Sequence, residues 1–244
     1  MREKRKCILL SWVPDSSIGG KRGRRARGML SLDSKERKVK VHLLILSILL
    51  WVQTILNLNS WSFMSNATED IPCRILIAWN SLQYSLTSIH CAPQWITCEA
   101  MSLSTKDTNI ITFVYGHNSP AGRKPLWDYI VINSPVFYQK PWYLLGDFNA
   151  IIQPDQRSGG DTRWLGHQDD IHNAIHQGQL VSIPYKGMRF TWNNDQQGDR
   201  NIQKKLDWVF GNNCTLQTWP ASTTIFLPRS ISDHSPIVLH LRLP

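Results

Sequence analysis

No two cysteines of this chain form a CxxC pair, and the five present (Cys7, Cys73, Cys91, Cys98, Cys214) are odd in number. That argues against a structural zinc site and against a disulfide framework, and fits a reducing compartment, nuclear or cytoplasmic. Internal repeats are lacking, and biased composition is confined to the amino-terminal arm. Excess charge is also missing from most of the chain. The formal net charge is +9, yet residues 1–40 hold 13 Lys/Arg against 4 Asp/Glu and the remaining 204 residues hold 14 of each. A fold that is neutral outside its arm lacks the spread basic surface of a dedicated polyanion binder, so attraction for nucleic acid is concentrated in the arm.

What is present suffices for one substantial core: 244 residues, 42% hydrophobic. The division expected is a basic arm over 1–40, largely disordered or a degenerate first strand, and one domain over 41–244. Within the arm, the run Lys21, Arg22, Gly23, Arg24, Arg25, Ala26, Arg27 reads either as a solvated tail or as a phosphate-contacting or nuclear-import patch. The uncharged run Val41 to Leu56 follows basic residues in the manner of a signal anchor. It is shorter than the roughly 18 to 20 apolar residues a span needs, and His42, Gln53 and Thr54 interrupt it. A strand covered on both faces explains it at least as well, so a membrane partner is the minority reading.

Beyond residue 60 the pattern is one of short runs rich in β-branched and aromatic residues, separated by turn residues. Trp61–Asn66, Arg74–Asn80, Gln94–Leu103, Asn109–Gly116, Trp142–Ile152, Arg189–Asn194, Lys204–Phe210, Ser222–Leu227 and Pro236–Leu243 read as strands. Pro125 opens a helical pattern with Leu126, Tyr129 and Ile130 on one face, and Ile171 and Ile175 mark a second helix over 169–179, closed near Gly178. Strands outnumber helices, with helices interspersed. The expected architecture is a four-layer α/β sandwich, two packed mixed β-sheets flanked by helices.

Chemistry concentrates in two places. Gly146, Asp147, Phe148 and Asn149 end an apolar run, and Ser232, Asp233 and His234 precede the last strand. Phosphodiester hydrolysis needs metal-binding carboxylates, a base for the attacking water and donors for the non-bridging oxygens. Asp147 and Asn149, two apart on an extended chain, would present side chains to one side. His234 is the group best placed for proton transfer near neutrality, and Asp207, a lone acid among Leu206, Trp208 and Val209, is a candidate to orient it. Phe190 and Trp192 read more readily as packing than as a base-stacking platform. His172 and His176 have the spacing of metal ligands on a helix, but Asp169 and Asp170 beside them favour a solvated polar face.

These residues carry a family resemblance. Val114-Tyr115-Gly116, Gly146 to Ala150, Gly159-Gly160, Phe190 to Trp192, Lys205 to Asp207, Val209 to Asn212 and Ser232 to Pro236 occur in the order seen in the endonuclease domains of plant LINE-type (non-LTR) retrotransposons. The resemblance runs from about Trp61 to Leu243. It implies a DNase I-like fold of the endonuclease/exonuclease/phosphatase type, with Mg2+ or Mn2+ as cofactor and DNA as partner, RNA being a further candidate. It also implies roles. Asp147 and Asn149 would contact the scissile phosphate and help activate water, Tyr115 would donate to a phosphate oxygen, and His234 would face the phosphate, oriented by Asp207. Asp233 would lie near the metal, and Asn118 and Arg123 would be further phosphate contacts.

Two departures bear on activity. The family's first strand carries W-N-x-R-G, but Val13 follows Trp12 here, and the family's second strand ends in E-T, but Gln53 precedes Thr54. A neutral amide in place of the principal magnesium ligand removes much of the attraction for a hard cation. The resemblance therefore implies an endonuclease-like domain with weakened metal binding and impaired catalysis. Trp208 stands where a basic residue is expected. A different class remains open, a non-catalytic nucleic-acid-binding or membrane-anchored module, for which the arm, the apolar run and the sequons at Asn66 and Asn213 are the observable features.

Overall fold

The computed structural model describes residues 8–10, 60–68, 73–161, 163–230 and 232–242. The expectations for Trp12, Val13, the basic run, the apolar run 41–56 and Gln53 fall outside these residues.

A six-stranded mixed sheet forms the centre. Its strands are β4 (Tyr84–Ala92), β5 (Trp95–Ser102), β6 (Thr108–Tyr115), β7 (Trp142–Asp147), β9 (Val181–Ser182) and β13 (Asp207–Gly211), in the order β4-β5-β6-β7-β13-β9. β6 and β7 run parallel because an 18-residue helix, α1 (Pro120–Phe137), carries the chain from one to the other. The continuous apolar run of β7 follows from burial on both faces, with side chains alternating between them. Trp142 and Leu144 join a core under α1 and α2 (Asp169–Gln177), together with Leu126, Ile130, Ile171 and Phe210. Tyr143 and Leu145 join a second core with Ile75, Ile77, Phe113 and Val209.

That second core is closed by two three-stranded sheets. One holds β1 (Ile8–Leu10), β2 (Trp61–Ser65) and β3 (Ile75–Asn80) in the order β1-β3-β2, and the other β10 (Tyr185–Gly187), β14 (Thr223–Phe226) and β15 (Ile237–His240). A small third ribbon, β8 (Arg157–Ser158), β12 (Gln203–Lys204) and β11 (Trp192–Asn193), sits beside the end of β7. The expected α/β class with packed mixed sheets and few helices is what the structure shows.

Local departures have physical causes. β4 has no counterpart among the expected strands, because its residues are mostly polar or exposed on the sheet's outer edge. The first helix begins five residues before Pro125. Ser119 caps it, its hydroxyl accepting from the Gly122 amide at 3.2 Å, and Pro120 occupies the first turn. The second helix ends at Gly178, yet Gln179 rather than this glycine takes the left-handed conformation, with φ 51°. Asn66 of the first sequon is buried, its amide donating to the carbonyls of Ala92 and Pro93 and its oxygen accepting from the amides of Arg74 and Ile75. Cys91, Cys98 and Cys214 carry free thiols. Among the described residues, no helix is long and apolar enough to cross a membrane.

Candidate active site

The end of the central sheet places three of the expected residues in one row. Tyr115 is the register partner of Asp147 across β6 and β7, and Asp147 is the partner of Asp207 across β7 and β13. Strand alternation puts these side chains on the face occupied by Phe113, Leu145 and Val209, in the mouth between the central and outer sheets. His234 enters from the other side, on the segment that precedes β15. Its Nδ1 lies 2.8 Å from Asp207 Oδ2, and its Nε2 lies 3.5 Å from Asp147 Oδ2. An ionised carboxylate only accepts, so Nδ1 carries the proton in the first contact, and Nε2 is left facing Asp147 and the open side. Asp147 is 2% exposed and Asp207 4%, so both carboxylates work in a largely dry setting.

The loop after β7 is built around Phe148, which is fully buried between Trp127 and Phe210, with ring centroids at 6.5 Å and 5.2 Å. Gly146 has φ 135°, and a Cβ there would collide with the carbonyl oxygen of Val114. This close approach is why glycine precedes Asp147. Asn149 does share a site with Asp147, but not through strand alternation. The strand has ended, Asn149 is left-handed with φ 50°, and its backbone amide donates to Asp147 Oδ1 at 2.8 Å. Its side-chain amide donates to the Gly116 carbonyl at 2.8 Å, to Asn118 Oδ1 at 3.2 Å and to Asp147 Oδ2 at 3.3 Å. Asparagine tolerates this conformation better than most residues.

Asn118 and Arg123 flank the same loop. Arg123 is buried, and its Nη1 donates to the carbonyls of His117 and Asn118. Burial lowers its pKa, opposed by the charges of Asp147 and Asp170. Asp233 Oδ2 accepts from the Trp192 indole at 3.0 Å. Tyr115 is half-buried, with the Arg74 guanidinium 5.7 Å from its ring centre. His172 and His176 are exposed on α2 with rings 6.5 Å apart, and no third ligand joins them among the described residues. Trp208 is a core residue, donating its indole N–H to the Ala150 carbonyl.

One residue missed by sequence reasoning ties the site together. Thr191 is fully buried, and its hydroxyl oxygen accepts from the amides of both Leu206 and Asp207 at 3.0 Å. Its carbonyl accepts from the Ser235 amide at 2.7 Å, and the neighbouring Trp192 bridges to His234. Thr191 thus joins the strand that carries Asp207 to the segment that carries His234. The only hint in the sequence was a hydroxyl set between Phe190 and Trp192.

No protein-family model matches the chain, and no curated protein does. Solved structures match it in fold. The endonuclease domain of TRAS1, a telomere-specific non-LTR retrotransposon, aligns with TM-score 0.60 and 15% identity over 76% of this chain and 81% of that one. TDP2 from D. rerio, complexed with a single strand DNA product, aligns with TM-score 0.52 and 10% identity over 82% of this chain and 88% of its own. This is a DNase I-like fold. A retrotransposon endonuclease domain is among its structural neighbours.

In this DNase I-like chain, Asp147, Asp207 and His234 each offer one ligand atom, and all three atoms lie within 4.8 Å of one another. Magnesium is ordinarily bound through one or two carboxylates, with water and substrate phosphate completing the shell. Two buried carboxylates clustered with an imidazole fit that pattern for a divalent cation.

Proposed function

We propose that the domain is a divalent-metal-dependent phosphodiesterase of the endonuclease kind, acting on DNA, with activity reduced by the loss of an acidic ligand at Gln53. The observation that carries the reading is the convergence of Asp147, Asp207 and His234 from three separate segments, with Asn149 beside them. In this reading Asp207 holds the His234 ring by Nδ1, and Nε2 takes or returns the proton of the attacking water. Asp147 and Asn149 position that water and the phosphate, and Tyr115 donates to a non-bridging oxygen. Asp147 and Asp207 would hold the metal, with Asp233 nearby through its tether to Trp192. When bound, the cation neutralises charge developing on the phosphate. The resemblance to plant LINE-type elements favours DNA over RNA as substrate.

Nicking of supercoiled DNA with Mg2+ or Mn2+ tests this. Weak wild-type nicking is expected, lost in Asp147→Ala and His234→Ala and raised in Gln53→Glu. Strong wild-type nicking that Asp147→Ala abolishes would overturn the impairment and leave the chemistry standing. Nicking unaffected by both alanine variants would overturn the site itself.

A further inference from the structure

Beside the site lies a second concavity of about 250 Å³. Asn118, Arg123 and Asn149 form its wall towards the catalytic residues, and Arg157 of β8 and Lys204 of β12 line its other side. Asn149 belongs to both spaces: it lines this pocket, and its side-chain amide stands 3.3 Å from Asp147 Oδ2. The lining is rich in cations and poor in anions. Among the described residues its one acid, Asp161, is taken by Arg163 at 2.7 Å. Arg123, Arg157 and Lys204 have no carboxylate partner within ion-pair distance among the described residues.

Three such cations around one cavity repel each other. Arg123 is only 6% exposed, and its Nε has no hydrogen-bond partner among the described residues. The Lys204 ammonium is disfavoured first by burial and then by the charges of Arg157 and Arg123. An arrangement of this kind is relieved by an anion, and guanidinium groups match phosphate oxygens in shape as well as charge. We propose that this pocket is a second phosphate subsite, in which Arg157 and Lys204, above the buried Arg123, bind the phosphodiester next to the scissile one on the same nucleic-acid strand.

The inference rests on the phosphodiesterase reading, and its test separates the two. Affinity of the full chain for a labelled DNA duplex is followed by anisotropy against salt concentration. Wild type is compared with Lys204→Gln, Arg157→Gln, Lys204→Arg and, as a control, Lys124→Gln, whose lysine is paired with Asp128 on the exposed side of α1. Loss of a phosphate contact should lower the salt slope by about one and weaken binding by about three- to tenfold at moderate salt. That result is expected for the two pocket glutamine variants, with Lys204→Arg restored and Lys124→Gln unchanged. In parallel, inorganic phosphate should raise the melting temperature of wild type and not that of Lys204→Gln or Arg157→Gln. Melting curves without phosphate confirm that each variant folds.

Equal salt slopes in all proteins, together with equal phosphate protection, would overturn the subsite. Phosphate protection that depends on Lys204 in a protein that binds no DNA would overturn the nucleic-acid occupant and leave an anion site. Pocket-dependent DNA binding without any nicking would uphold the subsite and overturn the proposed activity alone.

Discussion

Thr191 shows how much rests on one hydroxyl. Its oxygen satisfies two buried amides, and its backbone holds the segment that carries His234. Thr191→Val keeps the shape but strands those donors, at a cost of about 1 to 3 kcal/mol. Urea denaturation should show that loss, nicking should fall with it, and Thr191→Ser should recover most of both. Lys205 poses the opposite case. It is 1% exposed, its ammonium has no hydrogen-bond partner among the described residues, and it lies 3.8 Å from the ring centres of Tyr185 and Phe226 and 4.5 Å from that of Trp208. Burial pushes its pKa down to about 7, although Asp207 opposes the shift. A folded pKa below the unfolded one means that the unfolded chain binds more protons between about pH 7 and 10.5. Stability therefore rises with pH across that window, by at most about 1.4 kcal/mol per unit from this group. Below pH 7 the penalty is fully present, reduced by the contacts with the rings. Lys205→Met should accordingly melt above wild type at pH 6, with the gap narrowing by pH 10. A gap that stays constant across this range would contradict the assignment.

At the scale of elements, the loop between β7 and β8 is pinned by its own aromatic residue, Phe148. Phe148→Ala should lower stability by about 3 to 5 kcal/mol. Because the ring fixes the turn that aims Asp147 and Asn149, activity should fall further than the folded fraction measured under the same conditions. Equal losses of both would show that the ring only stabilises. Helix α1 was legible in its amphipathic middle and not in its beginning. The capping hydroxyl of Ser119 and the first-turn position of Pro120 are common signals, but Pro125 offered a competing start and lies inside the helix. Neighbouring turns retain enough hydrogen bonds to carry the helix through, and burial of Leu126 and Ile130 favours its continuation. The edge strand β4 escaped notice for a related reason: with its outer side chains exposed, the alternation that marks a half-buried strand is blurred.

For the whole molecule, the separation of charge is the feature with the clearest consequence. The described fold has a basic pocket but little net charge around it, whereas the run from Lys21 to Arg27 carries five cations. Residues Ile8–Leu10 pair with Ile75–Ile77, so deleting residues 1–40 would remove a strand as well as the charge. Replacing the five cations by glutamine is the cleaner change, and it should reduce the salt slope of DNA binding by several units while leaving the melting temperature near wild type. An unchanged slope would place the salt-sensitive contacts on the fold. Sequence order alone determined much: the α/β class and the strands that carry Asp147 and Asp207. These follow from hydrophobic period and residue chemistry, which are local properties. Only the tertiary structure decided that Tyr115, Asp147 and Asp207 share one row and that Asn149 turns back onto Asp147. It also decided that Thr191 joins two distant segments and that Arg123, Arg157 and Lys204 surround one pocket. Such placements depend on strand register and on how separate layers pack, and no short stretch of sequence encodes either.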